Sequence, residues 1–214
     1  MRNGETAGKR WQLHWSSRSP FARKVMIGAH ELGLAGAITC VPVKANPWLP
    51  DPVVMAVNPL GKVPVLLLAD GGWLYDSSVI LQFLESEAGR TDLFGGTRSG
   101  RLAIEARQAF ADDLIGKLLA LLDEGFRPDG GAEAETRKTV LRRVILAVLD
   151  HLDTTLPELP GSPPDAGDIA TFCALEYADF RFPDLAWKDR RPRLASWHRT
   201  FRARPSARAT MFGE

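Results

Sequence analysis

The chain has 214 residues, 45% of them hydrophobic and 25% charged, with 27 Lys and Arg against 26 Asp and Glu. That make-up suits one or two globular domains with real cores. A net charge of +1 gives no global electrostatic case for nucleic acid or a membrane surface, and no apolar run approaches the length of a membrane span. In chain order, MRNGETAGKRW has no apolar core of the kind a secretory signal needs and reads as a leader that frays ahead of the first strand. Trp11 to Trp15 alternates weakly and predicts a short strand. Ser16 to Ser19 is a polar loop, and Pro20 opens a helix, since proline is favoured at the first helical position. Ser19 is then its N-cap, and Gly33 is a fitting stop. Ile38 to Val43 predicts a second strand. A strand, a helix and a strand in so short a span imply a parallel βαβ unit. Residues 44 to 57 are proline-rich, with room for one short helix.

The stretch Asn58 to Glu85 organises what comes before it. Turn residues Asn58, Pro59 and Gly61 lead into an apolar run, Val63 to Ala69. Pro64 has no N–H, so it must sit at a strand's first residue or edge. Asp70-Gly71-Gly72 is a turn of the kind that joins antiparallel strands, and Trp73 to Tyr75 resumes as a short strand. Asp76 stands where a helix N-cap belongs, ahead of an apolar face at Val79, Ile80, Phe83 and Leu84. Two readings of Asp76-Ser77-Ser78 follow. One is a plain cap. The other is a site for a ligand's charged end, because free N–H groups also point outward at a helix N-terminus.

Residues 91–100 are rich in glycine and polar side chains and read as a linker. Beyond it the pattern is helical. Phe110, Leu114, Leu118 and Leu122 recur at i+4, with Ile115 and Leu119 widening the stripe. Pro128 to Gly131 breaks it. A second long helix is predicted from about Glu135 to Leu156, with Leu141, Val144, Ile145, Val148, Leu149 and Leu152 on one face. After a loop over 157–164, Asp165 and Asp168 have the form of a capping box ahead of an apolar run, Ile169 to Phe180. A last helix covers roughly Pro192 to Ala203. From Arg181 onward there are nine Lys and Arg against three Asp and Glu, which alone suggests a polyanion surface. Trp187, Leu194, Trp197 and Phe201 interleave at near-helical spacing, so an amphipathic helix packed on its apolar face is the preferred reading. The cysteines, Cys40 and Cys173, form no Cys-x-x-Cys pair, which suits a reducing, cytoplasmic compartment. His14, His30, His151 and His198 show no metal-ligand spacing and read as structural or surface groups; no metal is expected.

Three stretches carry a family likeness: SRSPFARKV (Ser17 to Val25), NPLGKVPVL (Asn58 to Leu66) and YDSSVILQFLE (Tyr75 to Glu85). With a βαβ–ββα unit ahead of an all-helical region, the chain resembles a cytosolic glutathione S-transferase over nearly its whole length, Gln12 to about Ala209. It looks most like the bacterial serine-type group with an N-terminal Ser-Pro-Phe motif and a segment like DFRFPDLAW (Asp179 to Trp187). The resemblance implies a thioredoxin-like glutathione-binding domain over 10–90 and a linker over 91–100. It also implies an all-helical domain over 101–210 that supplies the second-substrate pocket, and a homodimer.

The resemblance also implies residue roles. Pro64 matches a cis-proline that leaves the backbone of Val63 free to pair with the cysteinyl part of glutathione. Asp76 and Ser77 match the pair that holds the γ-glutamyl end, and Lys62 a position that can meet the glycyl carboxylate. Ser19 falls where a hydroxyl faces the thiol, with Ser17 as the alternative donor, and Phe21 lines the same pocket. Arg18 and Arg23 add positive charge if they point inward. Trp48, Phe110 and Leu114 are candidates for the electrophile's surroundings. The first strand-loop-helix holds no tyrosine and no cysteine, which disfavours tyrosine-type and cysteine-type chemistry. The implied function is conjugation of glutathione to a small electrophile. The alternatives are a glutathione-dependent isomerase, whose usual Ser-Ser-Cys loop is missing, and a non-enzymatic partner-binding protein.

Overall fold

The structure is a computed structural model that describes residues 10–44, 49–127, 130–159 and 163–213. The expected leader up to Lys9 and the candidate Trp48 lie outside the described residues. The chain divides into two compact units. One runs up to Phe94 and takes in Ala209 and the residues after it; the other runs from Gly95 to Arg208.

The first unit is a mixed four-stranded sheet with helices. Its elements are β1 (Trp11–Trp15), α1 (Pro20–Glu31), β2 (Ile38–Pro42), α2 (Pro52–Met55), β3 (Val65–Leu67), β4 (Trp73–Leu74) and α3 (Ser77–Glu87). The strand order is β2-β1-β3-β4. β1 and β2 are parallel, from Trp11 opposite Ile38 to Trp15 opposite Pro42. Parallel neighbours need a crossover, and α1 supplies it. β1 with β3 and β3 with β4 are antiparallel. Pro64 immediately precedes β3, where a residue without an N–H breaks no ladder bond. Leu13, Val25, Ile27, Ala29, Val65, Leu66, Ile80, Leu81 and Leu84 are sealed from solvent and form the core. At Gly28 a Cβ would lie 2.2 Å from Leu81 Cδ2, so the missing side chain is what lets α1 and α3 pack directly together.

Helix α3 is rotated from the expected face. Val79 is 44% exposed, and the buried positions are Ile80, Leu81 and Leu84. Phe83 is half-buried, edge-on to Trp11. The run expected as a strand over Val63 to Ala69 is ladder-bonded only at Val65–Leu67, because Pro64 delays its start and the Asp70-Gly71 turn ends it.

The second unit is all-helical: α4 (Arg98–Gly125), α5 (Ala132–Thr155), α6 (Ala166–Arg181) and α7 (Pro192–Arg202); α8 (Pro205–Ala209) follows, its last residue already in the first unit. Every residue of α6 from Ala166 to Ala178 is buried, which makes it the central helix. Asp165 and Asp168 form the expected capping box. Asp165 Oδ1 accepts from the Asp168 N–H (3.0 Å), and Asp168 Oδ2 from the Asp165 N–H (3.2 Å). Arg107 of α4 binds both carboxylates, its Nη1 lying 2.9 Å from Asp168 Oδ1. Trp187, Leu194, Trp197 and Phe201 are buried, so the basic region packs an apolar face as preferred. Among the described residues no helix is long and apolar enough to cross a membrane.

Several details differ from the sequence reading. Phe110 is 39% exposed, and the buried stripe of α4 is Ala111, Leu114, Ile115, Leu118 and Leu121. α5 starts at Ala132, with Glu133 and Glu135 in its first turn, where negative charge suits the helix dipole. Of its expected face, Ile145, Leu149 and Leu152 are buried, and Leu141, Val144 and Val148 are half-buried. Two expected breaks fall partly outside the described residues, at 128–129 and at 160–162. The glycine-rich stretch 91–100 is firmly held in part. Leu93 and Phe94 are buried, the Phe94 N–H donates to Glu85 Oε1 (2.8 Å), and Thr97 caps α4 by accepting from the Gly100 N–H.

His14 sits in the core of the first unit, 5% exposed, and its Nδ1 has no partner among the described residues. Burial pushes its pKa below the ordinary 6.5, with Asp51 pulling weakly the other way. On acidification the unfolded chain therefore takes up this proton first. The stability held by the neutral imidazole is complete above pH about 6.5 and is lost as pH falls from there toward the lower native value. Urea midpoints should drop between about pH 7 and about pH 5, and the drop should shrink in His14→Gln. Equal drops in both chains would show that folded His14 charges as readily as unfolded.

Candidate functional site

Strand register assembles the site at one end of the sheet of the first unit. His14 of β1 lies opposite Val65 of β3, and Leu66 of β3 lies opposite Leu74 of β4. The loop after β1 (Ser16 to Ser19), the residues before β3 (Val63-Pro64) and the residues after β4 (Tyr75-Asp76) therefore meet at the same edge. Of the residues singled out from the sequence, Ser19, Phe21, Val63, Pro64, Asp76 and Ser77 all belong to this cluster of turns and helix starts. Lys62 precedes it, with an exposed side chain and a backbone carbonyl that accepts from Asn58 Nδ2 (2.9 Å). The Val63–Pro64 bond is cis, as the resemblance implied; the Tyr75–Asp76 bond is cis as well.

Each polar residue is held by local chemistry. Ser19 has extended backbone, its Oγ accepts from the Ala22 N–H (3.2 Å), and its N–H donates to the Ser16 carbonyl (3.0 Å). It is half-buried at the positive end of α1. Asp76 is the N-cap of α3. Its Oδ1 accepts from the N–H groups of Ser78 (2.8 Å) and Val79 (3.4 Å), while the residue stays exposed. Ser77 is 2% exposed. Burial, and then the charge of Asp76, raises the pKa of Tyr75 above its ordinary 10.0, so this phenol stays neutral near pH 7.

Two cations on α1 are buried: Lys24, which was not singled out from the sequence, and Arg23, for which an inward position was allowed. Lys24 is sealed from solvent; its Nζ lies 3.5 Å from Ser78 Oγ and 5.6 Å from the centre of the Phe21 ring. It thus ties the start of α1 to the start of α3. The signal was available: a lysine on the face of α1 that packs against α3. Arg23 is also buried. Its Nε faces Thr210 Oγ1 at 3.5 Å and its guanidinium lies 4.6 Å over the Phe212 ring. Arg18, by contrast, is exposed.

In the second unit, Leu114 is a core residue and Phe110 stands edge-on to His151. A groove of about 320 Å³ runs along the end of α5 and α7, past Leu152, Leu156, Arg193 and Trp197, and neither Phe110 nor Leu114 lines it. Glu176, Asp179 and His198 bring three metal-ligand types within 4.8 Å of one another. They are already bonded. His198 Nε2 lies 2.6 Å from Glu176 Oε1, Trp187 Nε1 donates to Asp179 Oδ1 (2.8 Å), and Lys188 binds Asp179. The cluster reads as a polar clasp between α6 and α7.

Comparison with known proteins bears on the fold and the family. A family model described as the glutathione S-transferase N-terminal domain matches residues 18–87, and one described as the C-terminal domain matches residues 106–200. The uncharacterized GST-like protein YibF of Escherichia coli (strain K12) is 30% identical over 185 residues, which span 86% of this chain and 89% of that protein. A glutathione transferase family member from Pseudomonas fluorescens Pf-5, crystallised with bound glutathione, is 32% identical with a TM-score of 0.86. The match covers 95% of this chain and 100% of that one. A glutathione S-transferase from Methylobacterium radiotolerans, in complex with glutathione sulfonate, is 32% identical with a TM-score of 0.83, covering 96% of each chain. The chain belongs to the glutathione S-transferase family.

Proposed function

We propose that the chain binds glutathione in its first unit and transfers its thiolate to a small electrophile, with Ser19 as the serine-type donor to the sulfur. The observation that carries the reading is the meeting of Ser19, Val63-Pro64 and Asp76-Ser77 at one end of the sheet. The relatives crystallised with glutathione and with glutathione sulfonate support it. Glutathione's γ-glutamyl end carries an ammonium and a carboxylate. The Asp76 carboxylate suits the first; the Ser77 hydroxyl and the N-terminus of α3 suit the second. The backbone of Val63 would pair with the cysteinyl part, Lys62 would meet the glycyl carboxylate, and Phe21 would line the pocket. We assign glutathione recognition to residues 10–90 and electrophile recognition to the helical residues 101–210, with 91–100 as the connection.

The chemistry needs a thiolate, because a thiol is a poor nucleophile. Ser19 Oγ already accepts from the Ala22 N–H. A hydroxyl has one donor besides its acceptor sites, so capping leaves the proton free to bond to sulfur. That bond and the positive end of α1 both favour the charged sulfur and lower its pKa. The thiolate lone pair then forms the carbon–sulfur bond, and the electrophile's leaving group departs with the displaced electron pair.

Ser19→Ala removes a cap, costing about 1 kcal/mol of stability, and removes the sulfur's donor. The ultraviolet absorbance of the thiolate, titrated in the glutathione complex, should shift to higher pH, and turnover near neutrality should fall and partly recover in base. An unmoved titration would leave Ser19 as only a cap, and the same measurement on Ser17→Ala would examine the alternative donor. Asp76→Asn separates charge from capping, since asparagine caps as well as aspartate. Its stability should hold while glutathione affinity falls by about tenfold or more; an unchanged affinity would remove Asp76 from the ligand.

We also read the chain as a cytoplasmic homodimer. Cys40 and Cys173, neither of them in a disulfide, fit a reducing compartment. Leu49, Val53, Met55 and Leu60 are 74%, 53%, 42% and 65% exposed within one short span of the first unit, and exposed apolar side chains of this kind are what a partner chain covers. Light scattering at micromolar concentration should give twice the chain mass; the mass of one chain would sink the dimer.

A further inference from the structure

The residues after α8 return to the Ser16–Ser19 loop. The Gly213 N–H donates to the Ser17 carbonyl (3.3 Å). Gly213 lies so close that a Cβ on it would stand 3.4 Å from Ser17 Cβ and 3.5 Å from Ser17 Oγ. Earlier in the same segment, Phe212 and Thr210 both meet Arg23, through its guanidinium face and its Nε respectively. Thr210 is buried, Met211 is 62% exposed, and Phe212 and Gly213 are half-buried, so all but Met211 are drawn in against the first unit. Arg23 follows Ser19 by one helical turn, and the Arg23 N–H donates to the Ser19 carbonyl (3.0 Å). One short segment thus grips the loop from both sides of Ser19: through the Ser17 carbonyl before it and through Arg23 after it.

We propose that Thr210–Gly213 is a strap that fixes the Ser16–Ser19 loop, and that Arg23, Phe212 and Gly213 are positioning residues for the hydroxyl of Ser19. This rests on the reading of Ser19 as the thiolate's donor. The physical reason is the steep dependence of a hydrogen bond on distance and angle. A loop with polar side chains and no ladder partners is free to move unless something ties it. The Ser16 carbonyl holds Ser19 from within the loop, and the strap holds Ser17 from outside it. Loosening the strap should spare glutathione's other contacts, at Val63 and at Asp76-Ser77, and weaken only the bond to sulfur.

The test uses the full chain, glutathione, and a chloronitrobenzene as the electrophile. Gly213→Pro deletes the donor to the Ser17 carbonyl; Gly213→Ala keeps it and places its Cβ at ordinary contact distance. Phe212→Leu deletes the ring over Arg23; Phe212→Tyr keeps it. In Gly213→Pro and Phe212→Leu the thiolate titration should move up by about one unit. Their kcat near neutrality should fall about tenfold, within the range that a small misplacement of a reacting group costs. KM for glutathione should change by less than about twofold. Gly213→Ala and Phe212→Tyr should restore the parent titration. If both disruptive variants fold and titrate like the parent, the strap is overturned alone. If the parent chain shows no thiolate signal with glutathione, the glutathione reading falls and the strap with it.

Discussion

Two antiparallel pairings, β1 with β3 and β3 with β4, bring three separate turns of the chain to one end of a four-stranded sheet. Everything assigned to the site depends on that register. A one-residue slip in either pairing would reverse which side chains face the core and would pull Val63-Pro64 out of line with Ser19 and Asp76. The register is guarded by burial: Leu13, Val65 and Leu66 are sealed from solvent on strands of only two to five residues. The same edge receives the N-termini of α1 and α3. Helix starts leave N–H groups without intrahelical partners, and here Ser19 and Asp76 accept from those of Ala22, Ser78 and Val79 through polar atoms that keep capacity to spare.

That double use explains why capping and ligand binding are hard to separate in such a site. Ser19 and Asp76 each satisfy backbone donors, and each lies where a peptide-like ligand with charged ends would need a polar partner. The cap costs the site nothing. A serine hydroxyl that accepts through oxygen can still donate, and a carboxylate bonded through Oδ1 retains Oδ2. Lys24 adds a contact between the two helix starts through Ser78.

Much of this was legible in the sequence because it is written in local rules. Ser19-Pro20, Gly33, Pro64, the Asp70-Gly71-Gly72 turn and Asp76 each dictate backbone geometry within a few residues, and each is found where the rule puts it. What was missed depends on tertiary packing. Val79 fits an apolar helical stripe as well as Leu81 does, and only the close approach at Gly28 decides that α3 presents Leu81. Phe110 fits the i+4 series of α4, yet the neighbours of α4 bury the stripe one residue over, at Ala111. The return of Thr210–Gly213 to Arg23 and the Ser17 loop joins residues nearly two hundred positions apart, beyond any local pattern. The segment is also too short and irregular to carry a periodic signal.

The central claim is that these three turns form one site for glutathione, and isothermal titration calorimetry on the unmodified chain tests it most directly. The account predicts saturable heat with one glutathione bound per chain, and weaker binding of a tripeptide whose γ-glutamyl amino group is acetylated, because the charge that meets Asp76 is then gone. No binding of glutathione at millimolar concentration, or equal affinity for the acetylated tripeptide, would contradict it.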